Sequence, residues 1–477
     1  MKILMASPEC YPFAKAGGLG DVVGALPKQL AKRGHDVRVC IPLYGNIIPE
    51  KTWNRYDYIP VNLGCHQRIC SVWVHKSQNV TFYFIEYQQY FGSSAIYLDG
   101  PFNGERFAFF SRAVLDLCKA FQWYPDVIHC HDWTTGLIPV YLNTVEANSP
   151  LHKTASVFTI HNLQHQGIFP HDLLAYAGIP FSEFRSDSLE SLGYINFMKG
   201  ALFHSTKITT VSPTYANEIQ TRAFGCGLEH VLKFKAADLI GIINGIDLDE
   251  WTPEKDPHIA ERYSIKTIDK KELCKKSLRQ YFQLPQKRCP LIGVVSRLYQ
   301  QKGLDVFMDV LPYVFQNMDI QVIVVGSGEP HWEYRLRELE QQFPNKMRAF
   351  IGFNTALSHQ VEAGCDLFMM PSRFEPCGLN QMYSMRYGTL PIVHATGGLV
   401  DTVENLDERK ETGCGFVFSE LCNDAVYNTL GWACSVYFDR PHLFRKMQQT
   451  AMQKDFSWES SVNQYESVYR WAKKQRG

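Results

Sequence analysis

Lys2-Ile-Leu-Met-Ala6, and after it Lys15-Ala-Gly-Gly-Leu-Gly-Asp21, set the reading of the whole chain. The first is a short apolar run stopped by Ser7-Pro8, apolar toward both faces as a strand buried in a parallel sheet is. The second is a glycine-rich turn opening a helical pattern from Gly20 to Arg33. Another apolar run, Asp36-Val-Arg-Val-Cys-Ile41, follows at once. Strand, turn, helix and strand make one parallel crossover unit.

The same alternation continues outward. Thr81-Phe-Tyr-Phe-Ile85, Asp126-Val-Ile-His129, Ala155-Ser-Val-Phe-Thr159 and Lys207-Ile-Thr-Thr-Val211 read as strands, with a helix over Arg106 to Phe121. A second series starts at Leu291-Ile-Gly-Val-Val295 and runs through Gln321–Val325, Met347–Ile351, Asp366–Met370 and Leu390–Val393. Helices are expected near Gly303 to Phe315, His331 to Phe343, Leu379 to Tyr387 and Asp424 to Asp439. Between the series lies the polar, turn-rich stretch Asn244 to Pro257. Near the end, Trp458, Val462, Tyr465, Tyr469 and Ala472 share one helical face. The fold class expected is α/β, with two doubly wound parallel-sheet domains facing across a cleft. The expected boundaries are 1–243, an interdomain segment 244–257, 258–455, and a C-terminal helix 456–477.

Composition bounds the function. A chain of 477 residues exceeds one core at roughly 150 residues per domain. Forty-eight Lys+Arg balance 48 Asp+Glu, which argues against a general nucleic-acid or membrane-surface binder. No apolar run approaches the roughly 18 residues of a spanning helix, and Met1 to Glu9 breaks too early for a secretory signal. The 14 cysteines lack a framework: Cys65 and Cys70 have no second pair, and His129-Cys-His131 alternates strand faces. They read as buried, reduced thiols of a cytoplasmic protein, although a mature plastid form would look the same.

Six segments at strand ends carry candidate chemistry. Lys15-Ala-Gly-Gly-Leu-Gly-Asp21 offers backbone N–H groups and a helix dipole to an anion. As a dinucleotide fingerprint it fails, because Val23 replaces the third glycine and no acid ends the second strand. The competing reading is a turn that packs helix on strand. In His129-Cys-His-Asp-Trp133, Asp132 serves either a ligand or a helix cap, and Trp133 either a sugar or the core. Thr159-Ile-His-Asn162 is a second polar strand end beside it. In Ser296-Arg-Leu-Tyr-Gln-Gln-Lys-Gly303, Arg297 and Lys302 form a diphosphate clamp, or else a solvated basic turn. Pro371-Ser-Arg-Phe-Glu-Pro-Cys-Gly-Leu379 holds Glu375 before a helix, as a cap or as a ligand for sugar hydroxyls. Thr396-Gly-Gly-Leu-Val-Asp401 repeats the glycine turn.

Taken in order and spacing, Lys15-Ala-Gly-Gly-Leu-Gly-Asp-Val, His131-Asp-Trp, His161-Asn, Asn244-Gly-Ile-Asp, Ser296-Arg-Leu with Gln301-Lys-Gly, Arg373-Phe-Glu-Pro-Cys-Gly-Leu and Thr396-Gly-Gly-Leu resemble the bacterial glycogen synthases and plant starch synthases over essentially the whole chain. The resemblance implies two Rossmann-like domains of the GT-B glycosyltransferase type, closing over their substrates, with a C-terminal helix returning to the N-terminal domain. It implies glucose transfer from ADP-glucose, or from UDP-glucose, to the non-reducing end of an α-1,4-glucan such as glycogen or starch. Configuration would be retained, with no cofactor and no metal.

Carried over by position, the resemblance gives Lys15 and Gly18 the donor's diphosphate and sugar, and sets His161 beside the transferred glucose. Arg297 and Lys302 would neutralise the departing diphosphate, and Glu375 would hold glucose hydroxyls. The backbone at Cys377, Gly378 and Leu379, with Thr396, Gly397 and Gly398, would bind the donor, as would Asn244. Asp21, Asp132 and Trp133 fall near the acceptor and donor sugars. Three residues depart from the family pattern: His165 for Tyr, Thr134 for His, and Asn380 for Thr or Ile. The first two are expected to bear on acceptor recognition and Asn380 on nucleotide contacts. A glucan-binding relative without turnover is disfavoured by the joint presence of Lys15, His161, Arg297, Lys302 and Glu375.

Overall fold

The structure, a computed structural model, describes residues 1–477. It divides into two compact units: Met1–Gly245 together with Trp458–Gly477, and Ile246–Ser457.

The first unit is built on strands β1 (Lys2–Ala6), β2 (Asp36–Pro42), β3 (Asn54–Leu63), β4 (His66–Ser77), β5 (Val80–Glu86), β6 (Val127–His131), β7 (Ala155–Ile160), β8 (Ile168–Pro170), β9 (Glu190–Ser191), β10 (Tyr194–Asn196), β11 (Lys207–Thr210) and β12 (Leu239–Gly241). Nine of them form one sheet, ordered β12-β11-β7-β6-β1-β2-β5-β4-β3. The pairings are parallel from β12 to β5, and β5-β4-β3 close the edge as antiparallel strands. The largely apolar runs at β1 and β7 are buried along nearly their whole length, as strands inside a parallel sheet are. Helix Gly18–Lys32 starts at the glycine turn, and helix Phe102–Ala120 buries Phe107, Phe109 and Phe110. The chain's final helix, Trp458–Arg476, belongs to this unit, where Val462, Tyr465, Tyr469 and Ala472 are fully buried.

The second unit carries β13 (Leu291–Val295), β14 (Gln321–Gly326), β15 (Met347–Ile351), β16 (Leu367–Met370), β17 (Leu390–His394) and β18 (Phe416–Phe418). They form an all-parallel sheet ordered β15-β14-β13-β16-β17-β18. The order turns back at β13 and β16, so the loops leaving these two strands lie side by side at the switch point of the sheet.

Two differences from the sequence reading have physical causes. Residues 246–257 are not a free connector. Trp251 is sandwiched between His359 and Tyr383 with ring centroids 3.9 and 3.8 Å away, and Asp256 bonds His359 and the Tyr387 hydroxyl. The polar composition of that stretch serves an internal network of the second unit. The hairpin β3-β4 is not marked out in the sequence either, because the first half of β3 is an exposed edge with Tyr58 in a left-handed conformation, and an irregularity between Tyr56 and Ile59 confines the apolar alternation to Ile59, Val61 and Leu63.

Candidate functional site

In the first unit the glycine turn after β1 is held by an acid that no sequence motif singles out. Glu9, 2% exposed, accepts hydrogen bonds at Oε2 from the N–H of Ala16 (2.7 Å) and of Gly17 (2.9 Å), and at Oε1 from the Tyr97 hydroxyl (2.7 Å). A Cβ on Gly20 would sit 3.2 Å from that same carboxylate, so the glycine permits the close approach. Lys15 is exposed and its Nζ pairs with Asp21 at 2.7 Å. Both side chains reach water (39% and 25% exposed), so this pair adds well under about 1 kcal/mol and can open to receive an anion. Gly18 is the first residue of the helix.

β6 and β7 are neighbours, and their ends bring His131, Asp132 and His161 together. Asp132 sits at φ 56°, ψ −179°, a backbone region that glycine normally supplies. Its N–H donates to Thr159 O at 3.0 Å, and its Oδ1 accepts from the N–H of His161 at 2.7 Å. The carboxylate therefore fixes the loop after β7 rather than capping the turn that follows it. Burial pushes its pKa up to about 7, against the lowering effect of the His161 and Asn162 N–H groups. His131 Nδ1 and His161 Nε2 are 3.0 Å apart. Burial holds His161 and His129 down to about 3 and His131 well below its ordinary range, so all three are neutral near pH 7.

Trp133 is packed: its indole meets Phe107 at 5.1 Å and Phe169 at 5.7 Å, and a Cβ on Gly167 would lie 2.4 Å from it. At 9% exposure it is a core residue and not an open sugar platform. Thr134 is fully buried with its hydroxyl directed at His131 O, so that departure alters packing under the loop and not a surface an acceptor touches. Asn244 ends the unit 4% exposed, its amide oxygen sealed without a partner.

In the second unit the loops after β13 and β16 meet. Lys302 Nζ lies 2.6 Å from Glu375 Oε2, which also accepts from the Ser372 hydroxyl at 2.8 Å. Arg373 makes a two-pronged pair with Asp305 (2.6 and 2.5 Å), and its N–H donates to Gln301 O. These contacts clamp the two loops to each other. Arg297 is exposed, lies 5.6 Å over the Tyr299 ring and pairs with no carboxylate. Gly303 takes φ 62°, and a Cβ there would come within 1.8 Å of Pro371 O, so the approach of the loops requires glycine.

The Thr396 turn packs directly on the Glu375 loop. Gly398 N donates to Glu375 O at 3.0 Å, and a Cβ on Gly397 (φ 45°) would sit 2.0 Å from the same oxygen. That Gly398 N–H is thus committed to the Glu375 loop. Thr396 and Cys377 are buried, and Gly378 (φ 70°) and Leu379 lead into helix Asn380–Arg386. Gln381, fully buried and outside every motif read from the sequence, donates to the Cys377 and Gly378 carbonyls, each at 3.0 Å. Asn380 Nδ2 donates to Val295 O at 2.6 Å, tying the helix start to the end of β13.

A cavity of about 200 Å³ lies elsewhere in this unit, beside Lys271, Lys275 and Asp366 at the opening ends of the strands. Lys271 already donates to two carbonyls and Thr389, and Lys275 to Cys289 O, Tyr437 and Asp366, so the cations there are saturated. No cluster of three or more His, Cys, Asp or Glu side chains is placed to hold a metal ion.

The chain matches the family model described as starch synthase catalytic domain over residues 2–234, and that described as glycosyl transferases group 1 over residues 279–425. It is 44% identical to Glycogen synthase 1 of Geobacter sulfurreducens, over 100% of this chain and 97% of the relative. It is 43% identical to Glycogen synthase of Koribacter versatilis, over 100% and 99%. The solved catalytic domain of Starch Synthase IV from Arabidopsis thaliana, bound to ADP and acarbose, superposes with TM-score 0.93 at 33% identity, covering 99% of both chains. Sucrose-phosphate synthase of Thermosynechococcus elongatus shares the fold at TM-score 0.64 and 17% identity, over 98% of both chains.

Proposed function

The chain belongs to the family of bacterial glycogen synthases and plant starch synthases, and on that premise we propose that it transfers glucose from ADP-glucose to the non-reducing end of an α-1,4-glucan, with retention of configuration. Its fold is the GT-B fold of glycosyltransferases, and its activity class is glucosyl transfer in glycogen or starch synthesis.

The observation that carries the reading is the loop pair of the second unit, where an unpaired Arg297 accompanies a Lys302 already bonded to Glu375. Departure of a nucleoside diphosphate leaves negative charge on its oxygens while the anomeric carbon gains oxocarbenium character. Arg297 offers a guanidinium fork to those oxygens. Lys302 has three N–H donors and one is taken by Glu375, so the others serve the phosphate without breaking the pair. Glu375 retains lone pairs for sugar hydroxyls. Cations fixed before the reaction need no reorganisation as charge develops.

The first unit supports the other half of the reaction. Lys15 presents a cation from a turn whose Ala16 and Gly17 N–H groups are committed to Glu9, so the main-chain donors left for a ligand are those opening the helix at Gly18. His161 is kept neutral and is aligned through its own N–H by Asp132, so it contributes polarity beside the sugar without a competing positive charge. No cofactor or metal enters this scheme.

Initial rates with ADP-glucose and with UDP-glucose, on glycogen, amylopectin and malto-oligosaccharides, test the proposal. A higher kcat/KM for ADP-glucose with an α-glucan acceptor is expected, and α-anomeric product by NMR. Preference for UDP-glucose would overturn the donor, and absence of transfer with either donor would overturn the reaction.

A further inference from the structure

Below His161 stands a wall of buried polar side chains that the proposed reaction does not use. His129 and His131, both fully buried, project from β6 with ring centroids 4.1 Å apart. His129 is immobilised from two sides: Nδ1 meets the Tyr469 hydroxyl of the final helix at 2.8 Å, and Nε2 meets Thr159 Oγ1 at 2.5 Å. Thr159 in turn meets Thr209 Oγ1 at 2.6 Å. Against this rigid backing, His131 has one polar contact, Nδ1 to His161 Nε2 at 3.0 Å, and its Nε2 is sealed with no partner.

That sealed nitrogen decides where the protons sit. If His161 donated to His131, the proton of His131 would sit on Nε2 as a buried N–H with no acceptor, an arrangement that folded proteins rarely tolerate. If His131 Nδ1–H donates instead, the sealed nitrogen is a bare lone pair, the less costly of the two. His161 then accepts at Nε2 and carries its own proton on Nδ1. That nitrogen makes no hydrogen bond and is not among the sealed atoms of this half-buried residue.

We infer that His131 is a positioning residue for glucosyl transfer: its Nδ1–H, donated to Nε2 of His161, locks His161 as the Nδ1–H tautomer and turns that N–H outward as a fixed donor to a sugar hydroxyl. The inference rests on the proposed reaction for its kinetic consequence, but the tautomer itself does not depend on turnover. Asp132 aligns the main chain of His161 and His131 aligns its ring, so two consecutive residues of β6 and its loop set both.

The test uses the full-length protein in three variants. His131→Asn keeps an N–H donor near the position of Nδ1. His131→Phe keeps bulk and removes the donor. His131→Asp puts an acceptor there and demands the opposite tautomer of His161. Nitrogen-15 spectra of histidine-labelled protein, with His161 assigned by the loss of its signals in His161→Asn, read the tautomer directly. Wild type and His131→Asn should show a pyridine-like Nε2 and a pyrrole-like Nδ1 for His161, and His131→Asp should reverse them. With the donor KM nearly unchanged, kcat should fall about tenfold to a hundredfold in His131→Phe and at least as far in His131→Asp, yet stay within about threefold in His131→Asn. A purely structural role would make the smaller Asn no better than Phe.

A protonated Nε2 of His161 in wild type overturns the inference, and so does equal loss in the Asn and Phe variants or wild-type kcat in His131→Phe. If His131→Phe does not fold, the wild-type and His131→Asp spectra still decide the tautomer. If wild type transfers no glucose from either donor, the functional reading fails while the spectra judge the hydrogen bond on their own.

Discussion

Lys302 Nζ and Glu375 Oε2 are 2.6 Å apart although 73 positions separate them in the chain. The pair joins the loop after β13 to the loop after β16 at the switch point of the second sheet. Glu375 is 6% exposed and Arg297 lies open on the same edge without a carboxylate, so the two cations proposed for the diphosphate have unequal structural duties.

That inequality predicts separable effects. Arg297→Ala should leave the unfolding free energy from urea denaturation within about 0.5 kcal/mol of wild type, since the guanidinium is exposed, pairs with no carboxylate and lies only over the Tyr299 ring. Lys302→Ala leaves Glu375 buried with the Ser372 hydroxyl as its remaining side-chain donor and should cost about 1–3 kcal/mol. Both should lower kcat about 100-fold to 1,000-fold. Chemical denaturation beside steady-state rates checks this; near-wild-type turnover in either variant contradicts the proposed clamp.

The glycines divide in the same manner. Gly397→Ala must fit a Cβ 2.0 Å from Glu375 O at φ 45°, and should destabilise the second unit by more than about 2 kcal/mol. Nothing lies within 4 Å of where a Cβ on Gly17 would stand, and its backbone is extended (φ −152°), so Gly17→Ala should fold normally. Its effect is expected in KM for the nucleotide-sugar, raised because the methyl stands where a ligand approaches the turn. Melting curves and donor KM values distinguish the two classes, and a Gly17→Ala protein unchanged in KM would remove the turn from the donor site.

Asp132 and the histidines pull stability in opposite directions with pH. Asp132 has a pKa near 7 in the folded protein against an ordinary 3.8, so between these values the native state holds a proton that the unfolded chain lacks. This contribution is complete below about pH 4 and is lost as pH rises through about 7. His129 and His161, held near 3 against an ordinary 6.5, do the reverse: the unfolded chain binds their protons, and stability grows as pH rises from about 3 to 6.5. Of these three groups the histidines outnumber the aspartate, so their combined contribution climbs across about pH 4.5–6.5. Asp132→Asn removes the opposing slope, and its curve should climb more steeply by about 1.4 kcal/mol per pH unit. Parallel curves for the two proteins would contradict the raised pKa.

The charge clamp also predicts indifference to chelators. With Arg297 and Lys302 supplying the positive charge, activity in EDTA should equal activity in buffer. A strict requirement for added magnesium or manganese would show that these side chains do not suffice for diphosphate departure.

Legibility in the sequence followed burial. Leu291–Val295 reads as a strand with its observed limits, because a strand covered on both faces is apolar throughout. β3 escaped because its first half is exposed and an irregularity at Tyr56–Ile59 cuts its alternation to three residues, and β8, β9 and β10 because they span only two or three residues each. In the site, residues that stand in glycine-rich or cationic loops were visible as motifs. Glu9 was not, since its work is done through the N–H groups of Ala16 and Gly17, and a single acid in Ser7-Pro-Glu-Cys10 carries no such signal. Trp133 is ambiguous in sequence, where an aromatic beside a polar strand end reads equally as a sugar platform or as core, and only Phe107 and Phe169 around it show the packing.

The chain leaves the first unit at Gly245 and re-enters it at Trp458, where a Cβ on Gly245 would touch the Trp458 main chain; within the second unit Ile246 N bonds Phe456 O at 2.9 Å. The second unit is thus an uninterrupted insert whose two ends are stitched together, while the first is discontinuous. During synthesis the insert has all of its strands before Trp458–Arg476 is made, whereas the first unit waits for that helix to supply Val462, Tyr465 and Tyr469. His129 meets Tyr469 only then, so the wall behind His161 is closed by the docking of that helix.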